Sequence, residues 1–347
     1  MMRFPNRTFV TAVGAFLSLV PGQANAQSVA AKPAKTSGAW KLSRTADGQP
    51  DLQGVWANNN ATPLERPKEL AGRAYLTEQE VAALKKTADE LFNGQSDAAF
   101  GDQVFVSVLA NVKGAKSGFK STDGQTGDYS SVWTVERDWD NRTSLITDPP
   151  DGRLPETTPE AHQKQLAAGA ARDRNAGPED RSLSERCITF GSPRLGAGYN
   201  SYFEIVQSAN NVAIVMETIH DTRLIPLDGR PHLPANVQTW LGDSRGRWEG
   251  DTLVIDTTNY KPGAFMNVST DKLHIVERFT RTGEDSLKWE ITVEDPGAWT
   301  KPWTAMIPLR HSRDALYEYA CQEGNYGLQG ILAGARAEEK ARTGKSE

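Results

Sequence analysis

The sequence predicts a mainly β protein, an antiparallel meander closed into a barrel or strongly curved into a sheet, with peripheral α-helices. Three observations lead there. From Tyr202 to Cys321 short apolar runs alternate with tight turns such as Asn210-Asn211, Gly250 and Thr282-Gly283-Glu284. Several runs alternate at period two, the mark of strands with one buried face. A long meander must also hide its two outer edges, and closure is the economical way to do so.

Taken in order, the chain opens on an export signal over 1–26. Arg3 and Arg7 precede the apolar run Phe9–Val20, and Ala24-Asn25-Ala26 offers a small-residue cleavage site. That run is too short to span a bilayer, and no later stretch reaches the roughly 20 apolar residues a span needs. A soluble, periplasmic or secreted protein is expected, beginning at Gln27. Residues 27–39 read as a flexible Lys/Ala/Ser linker, and 40–347 as one β-rich domain. The formal net charge of −5 with no basic run argues against nucleic acid as a partner, leaving a small molecule.

Asp47–Trp56 brings a turn and a first strand, Leu52–Trp56. Thr77–Phe92 is a helix, with a Thr77/Glu80 capping box and Val81, Leu84, Ala88 and Leu91 on one face. Phe105–Leu109, Val132–Arg137 and Thr143–Thr147 read as strands. Thr158 with Pro159 at the first helical position starts a second helix, about 158–174. Strands follow at Phe203–Gln207, along Val212–Leu227, at Arg245–Glu249, Thr252–Thr258, Trp303–His311 and Leu316–Cys321. A helix at about 328–342 ends the chain. The central hairpin is Leu273–Phe279 with Leu287–Asp295. A three-residue loop pairs Phe279 with Leu287 and sets Glu277 beside Trp289. A two-residue loop would oppose apolar residues to Lys288 and Glu290.

Chemistry is expected where ionisable groups end apolar stripes. Val212, Ile214, Met216 and Thr218 lead to His220; Trp303, Ala305, Ile307 and Leu309 lead to His311; Leu287, Trp289, Ile291 and Val293 lead to Asp295. Glu277 lies inside its own stripe. A Glu desolvated against an indole has a raised pKa and can exchange a proton near neutrality, with a His as counterpart. Glu277 and His220 are thus the candidate acid–base pair, supported by His311 and Asp295. Trp289, Arg223, Arg230 and His232 are candidates to bind substrate. The plainer alternatives are rim histidines, a turn-capping Asp295, and a Glu277 paired with Arg278, Arg281 or Arg310. The predicted activity is a lyase, isomerase or hydrolase acting on a small organic or sugar-derived compound, without a cofactor. The competing reading is a carrier or sensor for an apolar or aromatic ligand.

His220, His232, His274 and His311 with Asp221 offer metal ligands, but neither HExxH nor a closely spaced His pair is present. The Gly196/Gly198 pair lacks the continuation of a dinucleotide fingerprint. Cys187 and Cys321 form a disulfide in an oxidising compartment; two buried thiols or a catalytic Cys are the rivals.

The Gly54-Val55-Trp56 entry resembles the opening of lipocalin-like barrels, where the Trp plugs one end. Seven stretches, Ser43–Trp56, Arg186–Arg194, Asp228–His232, Gly246–Thr257, His274–Phe279, Asp295–Trp303 and Tyr317–Tyr326, together resemble an uncharacterised family of secreted bacterial proteins. The resemblance implies export and no particular reaction. That family has His at the position of Gln322, which implies that a His there is dispensable.

Overall fold

A computed structural model describes residues 40–93, 101–115, 136–198 and 200–344. The expected signal and linker, and residues 132–135 of the expected strand Val132–Arg137, lie outside them. Trp40–Glu347 forms one compact unit.

The chain builds a ten-stranded antiparallel sheet: β1 (Gly54–Ala57), β2 (Ile146–Asp148), β3 (Tyr202–Gln207), β4 (Asn211–Met216), β5 (Thr222–Pro226), β6 (Asp243–Glu249), β7 (Thr252–Thr258), β8 (His274–Gly283), β9 (Ser286–Glu294) and β10 (Trp303–Ser312). Among the described residues four α-helices accompany it: α1 (Glu78–Leu91), α2 (Gln103–Val112), α3 (Pro159–Arg174) and α4 (Tyr326–Thr343). The strand order is β5-β4-β3-β1-β10-β9-β8-β7-β6, with β2 against the start of β10. This is not a single meander. The early strand β1 is inserted between β3 and β10 and joins two meanders into one sheet.

No ladder joins the end strands β5 and β6, so the expected closed barrel is not formed. The sheet is nevertheless strongly curved. Arg223 on β5 reaches Glu277 on β8, six places away in the strand order, which a flat sheet forbids. Where β6 passes β5, a Cβ on Gly246 would stand 2.8 Å from Ile225 and 2.6 Å from Leu227, so side-chain packing does the work of hydrogen bonds.

The central hairpin keeps its predicted faces but not its predicted register. Its turn is the two-residue loop Glu284-Asp285 between paired Gly283 and Ser286. A bulge between Arg281 and Gly283 then shifts the ladder by one residue, pairing Phe279 with Trp289 and Glu277 with Ile291. The bulge removes the clash of faces that made a two-residue loop look unfavourable. The inner face carries Ile275, Glu277 and Phe279 with Leu287, Trp289, Ile291 and Val293, all buried.

Four other expectations change. Phe105–Leu109 is helical, within α2, because Phe105, Val108 and Leu109 share a helix face that packs in one cluster with Leu84 and Leu91 of α1. Leu316–Cys321 joins no ladder; this exposed segment is tied down by the disulfide. The run Val212–Leu227 breaks into β4 and β5 at a turn over Thr218–His220, with Ile219 and His220 both at φ 56°. The expected Thr143–Thr147 strand shrinks to β2. Helices α1 and α3 form where expected, with the Thr77/Glu80 capping box and the Thr158 N-cap in place.

Candidate functional site

Three of the sequence-predicted site residues meet inside the curved sheet. Glu277 is fully buried on β8. Its Oε2 accepts from Arg223 Nη2 at 2.5 Å and its Oε1 from Trp289 Nε1 at 3.1 Å. Arg223 also points Nη1 at Ser192 Oγ, 3.4 Å away. Burial alone would lower the Arg223 pKa, but Glu277 outweighs it and the guanidinium is held above its ordinary value. Burial pushes the nearby Tyr260 phenol up. Trp289 stacks on Phe279 with centroids 5.5 Å apart, and Phe203 from β3 meets its edge at 5.8 Å. The room left beside the pair is about 10 Å3 open to a water-sized sphere, space for one water and no substrate.

The remaining candidates do not join this group, and none of His220, His311 or Asp295 lines the space around Glu277. His220 leaves the inner stripe because helical backbone at Glu217 breaks the period-two phase, and it is exposed in the turn. His311 packs edge-on against Trp56 at the far end of β10, 5.3 Å between centroids. There Gly54, at φ 117°, leaves space that a Cβ would close to 2.7 Å from His311 Nε2. Asp295 is buried but caps its turn, accepting from Thr270 N and Oγ1 at 2.6 Å each and from Gly297 N at 3.0 Å. Arg230 is exposed and folds back on Asp228 of its own turn, with Nε 2.9 Å from the carboxylate. The candidate partners Arg278, Arg281 and Arg310 also go elsewhere, Arg278 to Glu249 and Arg310 to Asp138.

His232 belongs to a polar network on the other face. Its Nδ1 lies 3.0 Å from Asp243 and its Nε2 2.9 Å from Asp256, so both ring nitrogens are occupied. Asp256 also holds His274 Nε2 at 3.1 Å. That bond holds the His274 pKa above its ordinary value, and with the His232 bond it holds the Asp256 carboxyl below its own. Among the described residues no three His, Cys, Asp or Glu side chains stand together as a metal-holding group.

The disulfide Cys187–Cys321 is formed, with Cα atoms 5.7 Å apart. It anchors Thr189–Leu195, a strap between the buried ion pair and an outer cleft. Gln322 Nε2 donates to Cys187 O at 3.3 Å, Asn325 Nδ2 to Glu185 O at 3.0 Å, and Phe190 packs on Tyr319. Sequence reasoning gave the strap no role; most of it entered only as part of Arg186–Arg194, one of the stretches that carry the resemblance.

The outer cleft has a volume of about 330 Å3 and mostly apolar walls, among them Leu64, Leu145, Phe190, Leu195 and Phe265. A few polar groups interrupt them. Asn60 is 3% exposed, and among the described residues its Oδ1 has no hydrogen-bond partner. The Arg194 guanidinium lies 5.0 Å from the Phe190 ring centre. Burial pushes the Asp102 carboxyl up, although Leu64 N–H donates to it at 3.0 Å. Apolar walls with a few fixed polar groups are what a small-molecule site requires. No known protein family, curated protein or solved structure matches this chain.

Proposed function

We propose that the protein is an exported carrier or sensor that encloses an apolar or aromatic small molecule in the cleft over the Thr189–Leu195 strap. The observation that carries this reading is the cleft itself: apolar walls and a volume in the small-ligand range, interrupted by a few polar residues such as Asn60, Asp102 and Arg194. The disulfide supports an oxidising location. Among the described residues no helix is long and apolar enough to cross a membrane. Acid–base catalysis by Glu277 receives less support. Its carboxylate is bound by Arg223 and Trp289, and no histidine stands within the space beside it.

Native mass spectrometry of the protein purified from cells that export it tests the proposal. The expected result is a retained apolar molecule in 1:1 ratio, recovered unchanged after incubation and lost from Leu195→Arg. A retained molecule that is converted during incubation would replace the carrier by an enzyme. Retention that survives Leu195→Arg would place the ligand elsewhere.

A further inference from the structure

A second cleft, of about 410 Å3, opens beside the starts of β5 and β6, on a different set of residues from the apolar one. Its charges are mostly spent. Arg223 is neutralised by Glu277, and Asp243 is bound by Arg245 Nη1 at 2.6 Å, by Leu233 N–H and by His232. Asp221 is the exception. Its Oδ2 accepts from Thr189 Oγ1 at 2.6 Å, and among the described residues it forms no ion pair. Burial pushes its carboxyl up and only neutral donors oppose that shift. A half-buried carboxylate without a cation is costly, a cost that a bound cation would relieve, and such a group in a cleft is a candidate binding point.

Trp240 forms another wall of this cleft. Its ring already takes the Lys261 ammonium, 5.0 Å from the ring centre, and the indole offers an organic ligand an apolar surface. An anion would meet Asp221 unscreened. A neutral molecule would leave that carboxylate as it is. We infer that the cleft beside Asp221 and Trp240 binds a small organic ammonium ion, with the ammonium on the Asp221 carboxylate and the organic body against the indole.

Three probes of matched shape test this by NMR titration of the whole protein at low salt: benzylamine, benzyl alcohol and benzoate. Saturable benzylamine binding that shifts the Trp240 indole N–H is expected, at least about tenfold tighter than benzyl alcohol, with no saturation by benzoate. In Asp221→Asn the preference for amine over alcohol disappears. Equal binding of the alcohol, any saturable binding of benzoate, absence of benzylamine binding, or shifts confined to the apolar cleft overturns the inference. So does a preference that persists in Asp221→Asn. Should that variant not fold, the charge preference of the wild-type protein and the Trp240 shift decide the matter alone. The outcome is independent of whether the apolar cleft holds a carried ligand.

Discussion

Replacing Glu277 by Gln leaves the shape of the interior almost unchanged and removes one charge. What remains is Arg223, its side chain 4% exposed, with its ionic partner gone. Losing one half of a buried ion pair costs about 3–5 kcal/mol, because the surviving charge stays desolvated. Trp289 Nε1 keeps an acceptor in the Gln, so the cost comes from the charge rather than from an orphaned donor. Arg223→Met should cost a similar amount by stranding the carboxylate. Adding Glu277→Leu to Arg223→Met removes both charges and fills the site with apolar atoms. That double variant should return to within about 1 kcal/mol of the wild type. The coupling between the two positions is then about 5 kcal/mol or more, far above the few tenths expected of independent sites. Urea unfolding followed by tryptophan fluorescence, with the disulfide intact and the slope of the transition unchanged, measures each term. A single substitution costing under 1 kcal/mol, or a double variant as unstable as the sum of its parts, would refute this account of the pair.

Three further outcomes are expected. Reducing the disulfide, or replacing both cysteines by Ser, releases a loop of 134 residues and should lower stability by about 2–4 kcal/mol, read as a fall in the urea midpoint. The His274–Asp256 bond raises the His274 pKa, so its stabilisation is fully present below the ordinary imidazole value of about 6.5 and is lost as pH rises through the higher folded-state value. NMR titration should place the His274 midpoint above that of a free imidazole and return it toward that value in Asp256→Asn; a His274 titrating at the free value in the wild type would sink the assignment. Gly54→Ala forces a Cβ into the left-handed region and to 2.7 Å from His311 Nε2, and should lower stability by about 1–3 kcal/mol in the same urea assay. A neutral Gly54→Ala would show that the His311 ring and the backbone yield without strain.

The faces of β8 and β9 were legible because period two survives a register error of two residues. The bulge before Gly283 was not, since nothing in Arg281-Thr282-Gly283 distinguishes a bulge from a longer loop. Glu277 and Arg223 were both named from sequence, but with opposite duties: one as acid–base group, the other as holder of substrate charge. Their pairing depends on the curvature of the whole sheet, which brings positions 54 residues apart together and has no local signature. His220 was misplaced for the converse reason. A single helical residue, Glu217, shifts the phase of everything after it. The two clefts are lined largely by loop residues without periodicity; of these, sequence reasoning named Arg223 as a holder of substrate charge and Asp221 only as a possible metal ligand.

The position of β1 ties the stability of the whole unit to four residues near its start. Gly54–Ala57 pairs with β3 on one side and β10 on the other, some 150 and 255 residues further along. Until β10 has been synthesised, the half-sheet β3–β5 and the growing half-sheet after β6 have no ladder between them. Assembly of the complete sheet therefore waits for the far end of the chain, and the long loops closed at that moment make the step slow. The same geometry couples the halves in unfolding: peeling β1 away breaks both of its ladders and uncovers one edge on each half. A clip of so few residues, placed so early, makes the two meanders fold and fail together.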